Sequence, residues 1–502
     1  MPTIAAHALS VTDGTVPVYC GMDSCLTHEI NDALRRVPFG NDTIIYDFER
    51  AMQAPALEMM LRGFRVDPSA RDIATRRTKE KLDAAKSVLA TLAPAVFDRD
   101  LSEEFIAKLP NSGKKLKELF YERLGIPPIA RWIRGEVTYP MDRKVLEQLE
   151  DYFYARPFVY CVLLIRDLNK TLQVLETEVD DDWRWRCSYN IAGTNSGRWS
   201  SSKSATGLGS NFQNITDELR RVFIADDGCE IVGLDGEQAE ARDVGWFCGT
   251  ILGDWSYLNM IEAGDPHTYV ARICWPELPW NGDIKKDRII AERKFYRHFT
   301  YRDATKRLGH GTNYLGKPKT MSLNTKIPVI TVSKFRERYF DAFPCIPRMH
   351  QWIANELQTK QFLVNFFGRR RDFFDRPNDE DTIKSAVAYM FQSSTGDRLN
   401  LGLWRVWKYM GTRVQILAQL HDGFYFQHSA QGAERDAIIA EARRHATNIP
   451  LTHTLPNGAT RVFTVPYDVV VGKNWAHKFR RREDGEVEEW NPRGLDKYRL
   501  AA

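Results

Sequence analysis

The chain has 502 residues, 43% hydrophobic and 27% charged, with a formal net charge of +4, which is ample for an enzyme of several subdomains. No apolar run reaches the roughly 18 residues of a membrane span, and MPTIAAHALSVTDG lacks the basic and apolar blocks of a secretory signal, so a cytoplasmic protein without signal peptide is expected. Its eight cysteines lack CxxC or Cys/His spacing, which argues against a zinc site and fits reduced thiols.

In chain order, residues 50–95 read as helices with a turn at Gly63. Residues 111–177 continue helically past a break at Pro127 and Pro128, and begin with the basic cluster Lys114, Lys115 and Lys117. The Ser/Gly-rich stretch 196–211 reads as a loop. CEIVGLD (229–235) reads as a buried strand ending in an acid, and EQAEARDVGWF continues as a helix. Residues 255–400 are mostly helical. Within them Arg302, Lys306, Arg307, Lys317 and Lys319 stand against Asp303, and Arg369, Arg370 and Arg371 form a further cluster. VQILAQL (414–420) and FYFQH (424–428) read as two strands of a hairpin joined by HDG, and 461–472 as another strand. Lys478, Arg480, Arg481 and Arg482 close the series of basic clusters. Interleaved with aromatics, these clusters suit either a phosphate-tracking surface or ordinary solvated faces. The expected fold class is α+β, one sheet carrying acids at its turns and flanking a large helical insert.

Two aspartates stand out. Asp235 ends an apolar strand and Asp422 sits at a hairpin tip; within one sheet the two carboxylates can meet. Hard cations such as Mg²⁺ take such carboxylates together with substrate phosphate oxygens. Two ions about 3.5–4 Å apart stabilise both the attacking and the leaving oxygen of phosphoryl transfer. The plainer reading makes Asp235 a strand-end cap and Asp422 a turn former. In YRDATKRLGHGTNYLG, Arg302, Lys306, His310 and Tyr314 recur every four residues and form one drifting helical stripe. It offers two cations for a polyphosphate, then an imidazole, then a ring for stacking. The plainer alternative is a basic surface helix. Gly309 and Gly311 each cost about 1 kcal/mol in a helix interior, which suggests a close approach or a bend.

At these residues the chain resembles the family A DNA polymerases. LDGEQAEAR (234–242) is similar to the family's first palm motif, RDATKRLGHGTNY (302–314) to its fingers motif, and QLHDG (419–423) to its second palm motif. LRGFRVD (61–67), NSGKKLKELFYERLGIPP (111–128), TNSGRWSSS (194–202), NFQNI (211–215), DPHT (265–268), FQSSTGD (391–397) and PYDVVVGKNW (466–475) resemble further segments in the family's order.

The resemblance implies a right-hand polymerase fold with an antiparallel palm sheet and helical fingers and thumb. It implies a thumb at 51–185, palm at 186–255 and 405–480, fingers at 256–404 and a tail at 481–502. The activity implied is addition of deoxynucleotides to a primer 3′-hydroxyl with two Mg²⁺ ions. Asp235 and Asp422 would be the metal ligands, and Lys306 would serve the leaving group. The nucleotide would be held by Arg302, Lys306, His310, Tyr314, His267 and Gln238, with Glu240 excluding a 2′-hydroxyl. Primer–template DNA would be contacted by Arg198, Asn211, Gln213, Asn214, Gln392, His421, Lys114 and Lys115.

This chain departs from the family pattern twice: Gly423 replaces a glutamate, and His310 an aromatic hydrocarbon ring. YCGMDSCLT (19–27) is similar to the last motif of the family's 3′–5′ exonuclease domain. Residues 1–50 are therefore expected to be a remnant without proofreading, in a compact phage-like enzyme of a bacterial or phage-infected cell. A separate exonuclease or processivity subunit is a candidate partner. Two other readings stay open. A single-subunit RNA polymerase is opposed by Glu240, and a catalytically silent DNA-binding protein by retention of Asp235, Asp422 and Lys306.

Overall fold

Ile231, Val232 and Leu234 make the strand Glu230–Gly236 apolar on both faces, and it forms the middle of a five-stranded antiparallel sheet. The order across the sheet is Gln415–Gln419, Gly423–His428, Glu230–Gly236, Tyr467–Gly472 and Asp496–Lys497. The computed structural model describes residues 16–36, 42–133, 135–297, 299–420, 422–482 and 486–499; His421 lies outside the described residues. Helices Glu380–Met410 and Gly432–Thr447 cover the sheet, burying Leu399, Leu403, Val406, Ile439 and Ala442 with Phe424 and Phe426. An aromatic nest closes the core. Trp475 stacks on Phe64 at 5.1 Å and meets Phe212 and Phe223 edge-on.

Helix Asp42–Arg62 runs unbroken through the expected 50/51 boundary, despite Pro55 inside it. Its Met52, Ala56 and Met59 form one buried stripe in the core of the sheet. The helical body expected from residue 51 therefore starts later, after the short strand Phe64–Val66. There helix Pro68–Phe97, capped by Asp67, packs along helix Arg156–Leu175 over a core that includes Leu82, Leu89, Leu116, Phe120 and Val159. The break expected at Pro127 and Pro128 within 111–177 is followed by the hairpin Arg131–Ile133/Glu136–Thr138 rather than by an immediate return to helix. The preceding helix ends at Arg123 with Gly125 in the left-handed region (φ +64°), just ahead of the paired prolines, and Gly135, with φ +84°, supplies the hairpin turn.

The second helical body surrounds Phe247, Phe335, Tyr339, Met349 and Phe391. The loop expected at 196–211 contains the strand Ser200–Lys203, which pairs with Cys187–Asn190. The single strand expected at 461–472 splits into Thr460–Phe463 and Tyr467–Gly472, with Pro466 between them lacking the N–H that a ladder needs. The α+β class is realised as a five-stranded antiparallel sheet, with smaller antiparallel sheets beside it, and two largely helical bodies. Among the described residues no helix is long and apolar enough to cross a membrane.

Candidate active site

The middle strand delivers Asp235 to one end of the sheet, directly opposite Gly423 on one neighbour and Asp468 on the other. Asp422 precedes Gly423, and its carbonyl accepts the Gly236 N–H at 3.1 Å. The hairpin thus brings together the two aspartates singled out in the sequence. Opposed residues of an antiparallel pair put their side chains on the same face. Asp468 therefore adds a third carboxylate beside Asp235, at 3.7 Å from Lys497 Nζ. Asp235 opens onto a cavity but is hemmed in by protein. That desolvation, with the facing Asp422 and Asp468 charges, pushes its carboxyl up to about 7, while Lys306 and His477 oppose the shift.

Gly423 has a steric reason. A Cβ there would lie 2.7 Å from the Leu234 carbonyl oxygen and 3.2 Å from Asp235 Oδ1. The carboxylate that the family pattern puts at this position has no room at its root.

The cavity, about 960 Å³, has Asp235 and Asp422 on one wall and the basic helix Tyr301–Asn313 on another. That helix begins with a capping box, in which Thr300 Oγ1 accepts from the Asp303 N–H while the Asp303 carboxylate accepts from the Thr300 N–H. The box fixes where the stripe starts. Lys306 and His310 are exposed to the cavity, and the His310 ring lies 4.7 Å from that of Tyr314, the C-cap residue. The Tyr314 hydroxyl donates to Glu240 Oε2, and Arg198 donates to Glu240 Oε1, so one carboxylate is held from both sides. Burial and this carboxylate push the Tyr314 phenol well above its ordinary range. His267 also lines the cavity, and burial and Arg302 hold its imidazole down to about 4, which makes it a neutral hydrogen-bonding group near pH 7. Gln238 lines it too, in the left-handed conformation (φ 52°), with a buried Oε1 that has no partner.

Arg302 is placed differently from the sequence expectation. Its guanidinium turns to Asp265, donating through Nε at 2.9 Å and Nη2 at 3.2 Å, and it is not among the residues lining the cavity. Arg481 and Arg482, from near the C-terminus, are. Their basic run, which in sequence suits a phosphate-tracking surface or a solvated face, thus reaches the cavity. Asp468, within PYDVVVGKNW, and Asp265, within DPHT and the cap of helix Pro266–Cys274, carry no site role in the sequence beyond those segments.

The expected nucleic-acid residues are scattered around this centre. Asn211 caps the turn Phe212–Asn214, and Gln213 Nε2 donates to the Trp199 carbonyl at 3.1 Å and to Gln419 Oε1 at 3.3 Å. Asn214 is exposed, and Gln392 is half-buried on helix Glu380–Met410. Lys114 and Lys115 lie on the short helix Gly113–Lys117 in the first helical body. There Lys115 Nζ sits 3.9 Å over the Phe105 ring.

Among the described residues no three His, Cys, Asp or Glu side chains gather as a metal cage. Two neighbouring carboxylates are the donor set that Mg²⁺ accepts when substrate phosphates and water complete its shell. The residues present fit such an ion.

A model described as DNA polymerase family A matches residues 99–477. The chain is 25% identical over 419 residues to the thermostable DNA polymerase I of Thermus aquaticus, covering 79% of this chain and 45% of that protein. It is 24% identical over 404 residues to DNA polymerase I of Helicobacter pylori, covering 77% and 40%. The chain spans less than half the length of these relatives. Its fold is similar to that of the POL domain of Pol1 from M. smegmatis, solved in complex with DNA primer-template and dNTP. The TM-score is 0.66 at 21% identity, over 85% of this chain and 70% of that one.

Proposed function

Because the chain belongs to DNA polymerase family A, we propose that it is a DNA-directed DNA polymerase that extends a primer by deoxynucleotides on a template. The observation that carries this reading is the pairing of Asp235 and Asp422 at one end of the sheet, facing Lys306 across a cavity of about 960 Å³. The sheet is read as the palm, the body built on Pro68–Phe97 and Arg156–Leu175 as the thumb, and the body around Tyr339 as the fingers.

In this reading Asp235 and Asp422 would hold two Mg²⁺ ions, whose chemistry would be charge stabilisation at the attacking and leaving oxygens. The primer 3′-oxygen forms its bond to the α-phosphorus as the bond to pyrophosphate breaks. Lys306 neutralises the leaving pyrophosphate and can hand it a proton. The neutral His267 and the unpartnered Gln238 Oε1 offer hydrogen bonds to the bound nucleotide. Tyr314 and His310 present rings to the nascent pair and sugar. Glu240, fixed by Arg198 and Tyr314, blocks a 2′-hydroxyl. Arg302 braces the basic helix through Asp265 rather than meeting phosphate in this arrangement. Arg198, Asn211, Gln213, Asn214 and Gln392 surround the path of primer and template, and Lys114 and Lys115 suit a duplex held by the thumb.

Purified protein given a primer–template, one deoxynucleotide at a time and Mg²⁺ should add only the base complementary to the template. It should stop when the metal is chelated. Untemplated addition, or none, would overturn the reading. The absence of proofreading is part of the proposal. Helix Val16–Arg35, which carries Tyr19 and Asp23, is exposed along nearly all its described length, which suits docking of a separate subunit better than a carboxylate site. A 5′-labelled mismatched primer should stay intact with Mg²⁺ and no nucleotide. Its stepwise shortening, lost in Asp23→Ala, would contradict this part.

A further inference from the structure

The hairpin Phe479–Arg481/Val487–Glu489 begins just beyond residue 477, where the family match ends. It grows from the sheet. It follows the sheet strand Tyr467–Gly472, the Leu495 N–H bonds the Ala476 carbonyl at 2.7 Å, and the chain returns to the sheet as Asp496–Lys497, its outermost strand. From this base Arg481 crosses to the second helical body. Its Nη2 donates to Glu292 Oε2 at 2.9 Å, and its Nη1 lies 3.6 Å from Asp303 Oδ2. Asp303 is the capping-box residue of the basic helix Tyr301–Asn313, which carries Lys306. Glu292 also lies 3.9 Å from Arg302 Nε. One guanidinium thus joins the sheet that carries Asp235 and Asp422 to the first turn of the helix facing them, and it lines the cavity between them.

From this geometry we infer that Arg481 is a positioning residue. It holds the basic helix at its working distance from the two carboxylates, so that Lys306 and His310 meet the incoming triphosphate. The inference rests on the polymerase reading. Its strength is that of two half-exposed ion pairs, Glu292 being 25% and Asp303 37% exposed, so it biases the helix rather than locking it. Arg480, next to it, pairs instead with Glu488 and Glu218 and touches neither Glu292 nor Asp303.

The test compares wild type, Arg481→Ala, Arg481→Lys and the control Arg480→Ala. In steady-state extension, Arg481→Ala should raise the deoxynucleotide KM by about three- to tenfold, the range two such pairs give. Its kcat and primer–template Kd should stay within about twofold, because no group at the reacting atoms is lost. Arg481→Lys should recover part of the loss, and Arg480→Ala should match wild type. Raising salt should increase the wild-type KM more steeply than that of Arg481→Ala, since the pairs are screened. Amide hydrogen exchange without nucleotide gives a readout independent of catalysis, and residues 301–306 should exchange faster in Arg481→Ala than in the other proteins. Unchanged KM and unchanged exchange in Arg481→Ala, with active wild type, would overturn this inference alone. A wild type that extends no primer would overturn the polymerase reading and the nucleotide part of this inference with it. Exchange would then still report whether the tether exists.

Discussion

Asp235 faces two other carboxylates, and its group holds its proton up to about pH 7 in the metal-free protein. A divalent cation must displace that proton, so the affinity for Mg²⁺ should rise as pH passes through about 7. Asp468→Asn removes one facing charge and should move the rise to lower pH, read by calorimetric titration at several pH values. A pH-independent affinity would contradict the placement. The sign for stability follows from the same shift. Between the ordinary 3.8 and about 7 the folded chain binds more protons at this group than the unfolded chain. Metal-free stability contributed by Asp235 therefore falls as pH rises across that window. Gly423→Ala should cost about 1–3 kcal/mol through overpacking against Leu234 and Asp235, and should slow extension by displacing the Asp235 carboxylate. Wild-type stability and rate in this variant would show that the strand end has slack. Glu240→Ala should reduce discrimination against ribonucleotides by about 10- to 100-fold, the worth of a small steric change in a pocket. Competition between matched ribo- and deoxynucleotides measures it, and an unchanged ratio would remove Glu240 from the gate.

Between elements, the sheet and the second helical body share a buried ionic junction. On helix Glu380–Met410, Arg398 Nη2 donates to Asp243 Oδ1 at 3.0 Å and Thr395 Oγ1 donates to Asp243 Oδ2 at 2.8 Å, with Asp243 itself on helix Ala239–Leu252. Asp243→Asn leaves a buried guanidinium without its counter-charge and should destabilise the protein by about 3–5 kcal/mol. Denaturant unfolding would show this as a lower midpoint, and an unchanged midpoint would mean that the junction relaxes. Elements whose own pattern carried their identity were legible in the sequence. The strand ending in Asp235 is a continuous apolar run, HDG marks a hairpin, and the Arg–Lys–His–Tyr stripe follows the helical period. What the sequence left hidden depends on partners far along the chain. Arg302 reads as a cavity cation until Asp265, 37 residues earlier, is seen to take its guanidinium. The run ending in Arg482 reads as a phosphate-tracking or solvated cluster until Arg481 is seen to reach Glu292, 189 positions earlier. The stripe Met52, Ala56 and Met59 is helical in pattern but does not say that it packs on the sheet rather than with the helices that follow.

Across the whole molecule, the sheet supplies the carboxylates, one helical body supplies the cations and rings, and the cavity is the space between them. In the proposed function the two halves act on one triphosphate. The most direct measurement is single-turnover incorporation of a matched deoxynucleotide by wild type, Asp235→Asn and Asp422→Asn, alongside primer–template binding by each. Wild type should incorporate with Mg²⁺. Each aspartate variant should lose at least about a hundredfold in rate, the loss of a metal-borne stabilisation of several kcal/mol. All three proteins should bind DNA within a few fold of one another. Incorporation by either variant at a rate near that of wild type would contradict the proposed function.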